Sequence, residues 1–113
     1  MTDIHDKVAV VTGAGSGIGR QVAYQLARRG AHLALSDVDA AGLAETTRHA
    51  RVIGARVHEQ VLDVTDRAAV FAYADTVAAE FGTVNIVVNN AGIAFSGDVT
   101  EMTIEQIERV MDV

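Results

Sequence analysis

Lys7-Val8-Ala9-Val10-Val11-Thr12-Gly13-Ala14-Gly15-Ser16-Gly17-Ile18-Gly19 passes from an unbroken apolar run into a loop with four glycines. The run lacks the alternation of a strand with one wet face, so it predicts a strand buried on both sides. Beyond the loop, Val22, Ala23, Leu26 and Ala27 fall on one side of a helix starting at Ile18. Gly30, behind Arg28 and Arg29, supplies a left-handed stop to that helix. Strand, glycine loop and helix in this order suit a pyrophosphate. Glycine lets the backbone approach a ligand closely, and the helix N-terminus offers free N–H groups at the positive end of its dipole.

The same alternation continues outward. His32 to Ser36 read as a second strand followed by Asp37, and Asp39 caps a second helix that turns Leu43, Thr47, Ala50 and Ile53 inward. Arg56 to Leu62 form a third strand ending in Asp63-Val64. Thr65 or Asp66 opens a third helix carrying Val70, Tyr73, Ala74 and Val77, closed by Gly82. Val84 to Asn89 form a fourth strand. A last helix opens at Thr103 and Gln106, at capping-box spacing, with Ile104, Ile107 and Val110 on one face and Glu101, Glu105, Glu108 and Arg109 on its solvated side. Strands and helices in strict turn, with short connections, predict an α/β fold: a Rossmann-like, doubly wound parallel sheet with strands ordered 3-2-1-4. Strand four is then expected to be an exposed apolar edge.

Composition excludes other classes. The chain has 113 residues, 50% of them apolar, with a mean hydropathy of +0.22, so it reads as one folded domain rather than a disordered segment. It has no cysteine, hence no disulfide framework, thiolate metal site or thiol nucleophile. A net charge of −6 opposes binding to a phosphate backbone, so no nucleic-acid partner is expected. No run of about 18 apolar residues predicts a membrane span, and the first residues lack the pattern of a signal peptide. A cytoplasmic location is the expectation. His5, His32, His49 and His58 show no metal-ligand spacing, and Ser96 has no histidine partner in view.

The glycine loop departs from the G-x-G-x-x-G spacing, because positions 18 and 20 are Ile18 and Arg20, and no Lys-Ser or Lys-Thr follows for a Walker loop. Thr12-Gly13-x-x-x-Gly17-Ile18-Gly19 instead resembles the fingerprint of the short-chain dehydrogenase/reductase family. Asn89-Asn90-Ala91-Gly92 and Asp63-Val64 are similar to two further motifs of that family, each at a strand end. The resemblance covers the whole chain. It implies an oxidoreductase that moves a hydride between a nicotinamide coenzyme and the carbonyl or secondary alcohol of a small molecule, working as a homo-oligomer. It implies that Gly13, Ser16, Ile18 and Gly19 line the pyrophosphate, with Gly15 and Gly17 of the same loop also binding the cofactor, that Asp63 and Val64 hold the adenine, and that Asn90, Ala91 and Gly92 pass beside the ribose.

Asp37 ends strand two, 18 residues beyond Gly19. A carboxylate there accepts from a ribose 2′-hydroxyl and repels a 2′-phosphate, and no basic residue stands at Ser16 or Val38 to offset it, so NAD is expected over NADP. Arg20, just inside the first helix, is placed to approach a phosphate, but the favoured reading is a solvated side chain. The family's catalytic Tyr-x-x-x-Lys is absent: residues four beyond the two tyrosines, Tyr24 and Tyr73, are Arg28 and Val77, and Lys7 is the single lysine. No catalytic residue is therefore assigned. The sequence reads as the cofactor-binding half of such an enzyme, inactive by itself, with the catalytic Ser, Tyr and Lys expected beyond Val113. Two other readings of the residues are a non-catalytic nucleotide-binding module and an adenosylmethionine-dependent methyltransferase, since Gly13-x-Gly15-x-Gly17 with Asp37 also suits that ligand.

Overall fold

A computed structural model describes residues 3–90 and the backbone of residues 100–102. The chain order is β1 (Val8–Thr12), α1 (Gly17–Arg28), β2 (His32–Asp37), α2 (Ala40–Ile53), β3 (Val57–Val61), α3 (Arg67–Phe81), β4 (Ile86–Val88) and β5 (Thr100–Met102). The strands form one sheet in the order β3-β2-β1-β4-β5, and every pairing is parallel. The predicted order 3-2-1-4 is present. β4 is not an edge, however, because Ile86, Val87 and Val88 pair with Thr100, Glu101 and Met102. Glu101 therefore belongs to a strand and not to the face of a helix. The expected last helix, Ser96, Ala91 and Gly92 lie outside the described residues.

The apolar strands serve two cores. Ala9 and Val11 of β1, Leu33 and Leu35 of β2, and Ile86 and Val88 of β4 pack with Val22, Leu26, Leu43 and Ala50 of α1 and α2. The intervening Val10, Ala34 and Val87 pack with Val70, Tyr73 and Val77 of α3 on the other face. Successive strand residues point to opposite faces, so one uninterrupted run furnishes both layers. The chain builds β1, β2 and β3 outward in one direction and then returns to the far side of β1 for β4. Right-handed crossovers place α1 and α2 on one face and α3 on the other. The reversal opens a crevice between the C-terminal ends of β1 and β4, where such sheets take their ligands.

The starts of α2 and α3 follow their acidic caps. Asp39 Oδ1 accepts from Gly42 N–H at 3.1 Å and Asp66 Oδ1 from Ala69 N–H at 3.1 Å, so the third helix is capped by Asp66 rather than Thr65. No helix among the described residues is long and apolar enough to cross a membrane. Leu35 lies at the centre of the larger core with no exposed surface. Leu35→Ala is expected to cost about 2–5 kcal/mol. Urea unfolding that shows a lower midpoint at unchanged slope would confirm it, whereas an unchanged midpoint would remove Leu35 from the core.

Candidate coenzyme site

Four strand ends meet on one edge of the sheet: Gly13 after β1, Asp37 closing β2, Asp63-Val64 after β3 and Asn89-Asn90 after β4. The glycine loop bridges them. Ala14 N–H donates to the Ser36 carbonyl at 2.9 Å, which holds the loop against β2. Ser16 is extended and makes no side-chain cap to α1, so the first N–H groups of that helix receive no side-chain acceptor from it. Ser16, Gly17 and Ile18 are exposed, and Ile18 and Val38 present apolar side chains that are 60% and 65% exposed.

Two close approaches require glycine. A Cβ on Gly19 would collide with the Gly13 carbonyl oxygen and lie 2.8 Å from Asn90 Nδ2. Asn90 Nδ2 donates to that same carbonyl at 3.1 Å, so the loop after β4 fastens the loop after β1. A Cβ on Gly15 would lie 2.8 Å from Asp37 Oδ2. Asp37 Oδ2 instead accepts from Gly15 N–H at 2.8 Å, and its Oδ1 accepts from Asp39 N–H at 3.0 Å. A carboxylate has room for about four donors, so both oxygens keep capacity for a ligand's hydroxyls.

Asp63 is built differently. Its Oδ1 takes both the hydroxyl and the N–H of Thr65, at 2.7 and 2.9 Å, and Oδ2 has no donor among the described residues. The Thr65 hydroxyl, followed by its N–H, holds the Asp63 carboxyl below the usual carboxylate range. Val64 packs at the margin of the α3-side core. Thus Gly13, Gly15, Ser16, Gly17, Ile18, Gly19, Asp37, Asp63, Val64 and Asn90 all lie along this edge.

Arg20 is not solvated as expected. Its Nη2 donates to the carbonyls of Gly15 at 2.7 Å and Gly42 at 3.0 Å, and its Nε donates to Thr46 Oγ1 at 2.8 Å. Thr46, fully buried on α2, donates in turn to the Ala14 carbonyl at 2.8 Å. Sequence reasoning missed both residues. The available signal was chemical: a loop folded on itself carries carbonyls that no strand ladder satisfies, and an arginine one turn away has donors for several. Tyr73, by contrast, lies inside the α3-side core, where burial pushes its phenol above the ordinary range against a smaller opposing effect of Ser36. It is no proton donor for this edge.

The two glycines should fail differently. Gly19→Ala meets backbone and is expected to cost about 3 kcal/mol or more, seen as a lower melting temperature. Gly15→Ala meets chiefly the Asp37 carboxylate, which can shift, with Leu43 N at 3.1 Å, so it should cost less stability than Gly19→Ala while displacing Asp37. Equal losses of stability in both variants would contradict this packing. For Asp63, whose folded value is lowered, the Thr65 bonds contribute stability above the ordinary carboxylate range, and the contribution is lost as pH falls through the lowered value. Thr65→Val is expected to move the Asp63 titration upward, followed by NMR of its carboxyl carbon. An unmoved midpoint would assign the shift elsewhere.

The family profile described as short chain dehydrogenase matches residues 7–113. SadH of Mycobacterium tuberculosis, named as an oxidoreductase, is 55% identical over 113 residues, which are all of this chain and 41% of that protein. A short-chain dehydrogenase/reductase from Burkholderia phymatum, solved in complex with NAD, is similar at 45% identity and a TM-score of 0.77, over 82% of this chain and 33% of that one. L-Sorbose reductase from Gluconobacter frateurii, solved with NADPH and L-sorbose, is similar at 37% identity and a TM-score of 0.74, over 85% and 38% of the two chains. The chain thus spans about two fifths of the SadH relative, and relatives of both coenzyme types share its fold. With the glycine loop, the held aspartate and the parallel sheet in place, the chain belongs to the short-chain dehydrogenase family.

Proposed function

We propose that residues 1–113 form an NAD-binding domain and that the intact protein is an oxidoreductase acting on the carbonyl or secondary alcohol of a small molecule. The observation that carries the coenzyme assignment is the Asp37 carboxylate, held by Gly15 N–H at 2.8 Å beside the phosphate loop. A carboxylate so placed accepts from ribose hydroxyls and repels a phosphate on the same sugar. Family membership favours the oxidoreductase reading over the methyltransferase one, and it weighs against a purely non-catalytic module.

The residues fit such a ligand. Gly15 and Gly19 leave room where a Cβ would intrude, and the N-terminus of α1 at Ser16, Gly17 and Ile18 offers donors and a favourable dipole to pyrophosphate. Asp63, kept ionised by Thr65, accepts from the adenine amino group, with Val64 and exposed Val38 as apolar cover. Asn90, after β4, stands where a ribose of the coenzyme would pass. When bound, the coenzyme supplies the hydride chemistry; this chain's part is to bind it and orient it.

Calorimetric titration of the protein expressed from its full coding sequence should give tighter binding of NAD than of NADP. Asp37→Ala is expected to weaken NAD by on the order of tenfold and to remove most of the preference, the effect of losing a charge-assisted bond. Absence of NAD binding at millimolar ligand, or a preference unchanged in the variant, would overturn the assignment.

A further inference from the structure

The Ala14–Gly15 peptide group is gripped at both ends. Its carbonyl accepts from Thr46 Oγ1 at 2.8 Å, and its N–H donates to Asp37 Oδ2 at 2.8 Å. The Thr46 oxygen itself accepts from Arg20 Nε at 2.8 Å. An arginine Nε–H can only donate, so it occupies a lone pair of the hydroxyl and leaves the hydroxyl hydrogen to face a carbonyl. That hydrogen has two acceptors in reach, Ala14 O at 2.8 Å and Gly42 O at 3.2 Å. Arg20 Nη2 already donates to Gly42 O at 3.0 Å, which leaves Ala14 O as the shorter and less occupied choice. The result is one directed chain of bonds from guanidinium to hydroxyl to peptide to carboxylate.

Such a relay has a reason to exist at Gly15. Glycine turns its flanking peptides more freely than any other residue, so the direction of its N–H must be set from outside. Bonds in series also polarise one another, which strengthens the final N–H bond to the carboxylate. Arg20 and Thr46 are committed to this network rather than to the open edge. Arg20 has three bonds to the loop and to α2, and Thr46 is fully buried.

We propose that Arg20 and Thr46 are positioning residues for coenzyme choice: through the Ala14–Gly15 peptide they hold the Asp37 carboxylate facing the adenosine ribose, and so they set the preference for NAD over NADP. This rests on the reading of the edge as an NAD site. The consequence is specific. Loosening the relay should reduce discrimination, because a carboxylate that can swing away both accepts less well from a 2′-hydroxyl and repels a 2′-phosphate less.

Thr46→Val removes the hydroxyl and keeps the shape, while Thr46→Ser keeps the hydroxyl. Dissociation constants for NAD and NADP, measured on the full-length protein, are expected to show the NAD preference falling on the order of tenfold in Thr46→Val, the loss of about one charge-linked bond. Thr46→Ser should retain the preference. In an Asp37→Ala background the same Thr46→Val change should leave the ratio unmoved, because the carboxylate it acts through is gone. A general structural role would weaken both dinucleotides by one factor, and that result, or an effect that persists without Asp37, would overturn the proposal. If Thr46→Val does not fold, Arg20→Lys, which keeps the charge but cannot span the three acceptors, replaces it. A fall in its NAD preference supports the relay, and an equal loss for both dinucleotides overturns it. A wild-type protein that binds neither dinucleotide would instead remove the functional reading, and this inference with it.

Discussion

The Gly13 carbonyl lies against the Cα of Gly19, where any side chain would meet it, and Asn90 closes on the same oxygen from the next strand end. This contact bends the chain back between β1 and α1 so that the first turn of the helix lies beneath the strand end. The bend turns the unsatisfied N–H groups of α1 into the floor of the crevice. It also links the two halves of the switch point, since β1 and β4 are neighbours in the sheet while three helices and two strands separate them along the chain. A second cross-link does the same at the opposite end of the strands, where Asn85 Oδ1 accepts from Val8 N–H at 2.9 Å. Side-chain amides, which can donate and accept at once, suit both places.

The sheet accounts for why the site is polar at all. Its central strands β1, β2 and β4 are filled with Val, Leu, Ala and Ile on both faces, which leaves functional chemistry to the ends, where the ladder stops and backbone groups need other partners. Aspartate recurs there in three roles. Asp39 and Asp66 cap helices, Asp37 braces the glycine loop, and Asp63 closes a turn with Thr65. All four carboxylates hold at least one donor, so identical chemistry separates by place: Asp37 and Asp63 stand at strand ends, Asp39 and Asp66 at helix starts.

The architecture was legible because buried parallel strands write themselves as continuous apolar runs, as in Val8–Val11 and Ile86–Val88. Asp39 and Asp66 then marked the starts of α2 and α3, and Gly30 and Gly82 the ends of α1 and α3, to within a residue or two. The glycine loop, Asp37 and Asp63 could be placed because each follows a strand directly. Two features could not be read. β5 is three residues, Thr100–Met102, whose strand state comes from pairing with β4 and not from their own pattern. Arg20 looked like a surface residue because two of its three acceptors, on Gly42 and Thr46, are supplied by α2, 22 and 26 residues away in sequence. Motif resemblance pointed to residues along the strand ends, and only the packed structure found Arg20 and Thr46, which hold the loop there.

Charge at the site then takes on a different sense. A cation one turn into α1 would ordinarily favour an extra phosphate on a dinucleotide, against the preference we propose for Asp37. Here the guanidinium faces the Gly15 and Gly42 carbonyls and the Thr46 hydroxyl. Those neutral acceptors suit a fixed planar donor and do not cancel its charge, so its field still acts on the loop. The Ala14–Gly15 peptide lies between that cation and the Asp37 anion, with its carbonyl toward the first and its N–H toward the second. Its dipole is therefore aligned with both. The cation thus reinforces the anion's position in place of opposing the selectivity proposed for it. Net charge and the count of basic residues near the loop would have predicted weaker discrimination than the direction of the donors implies.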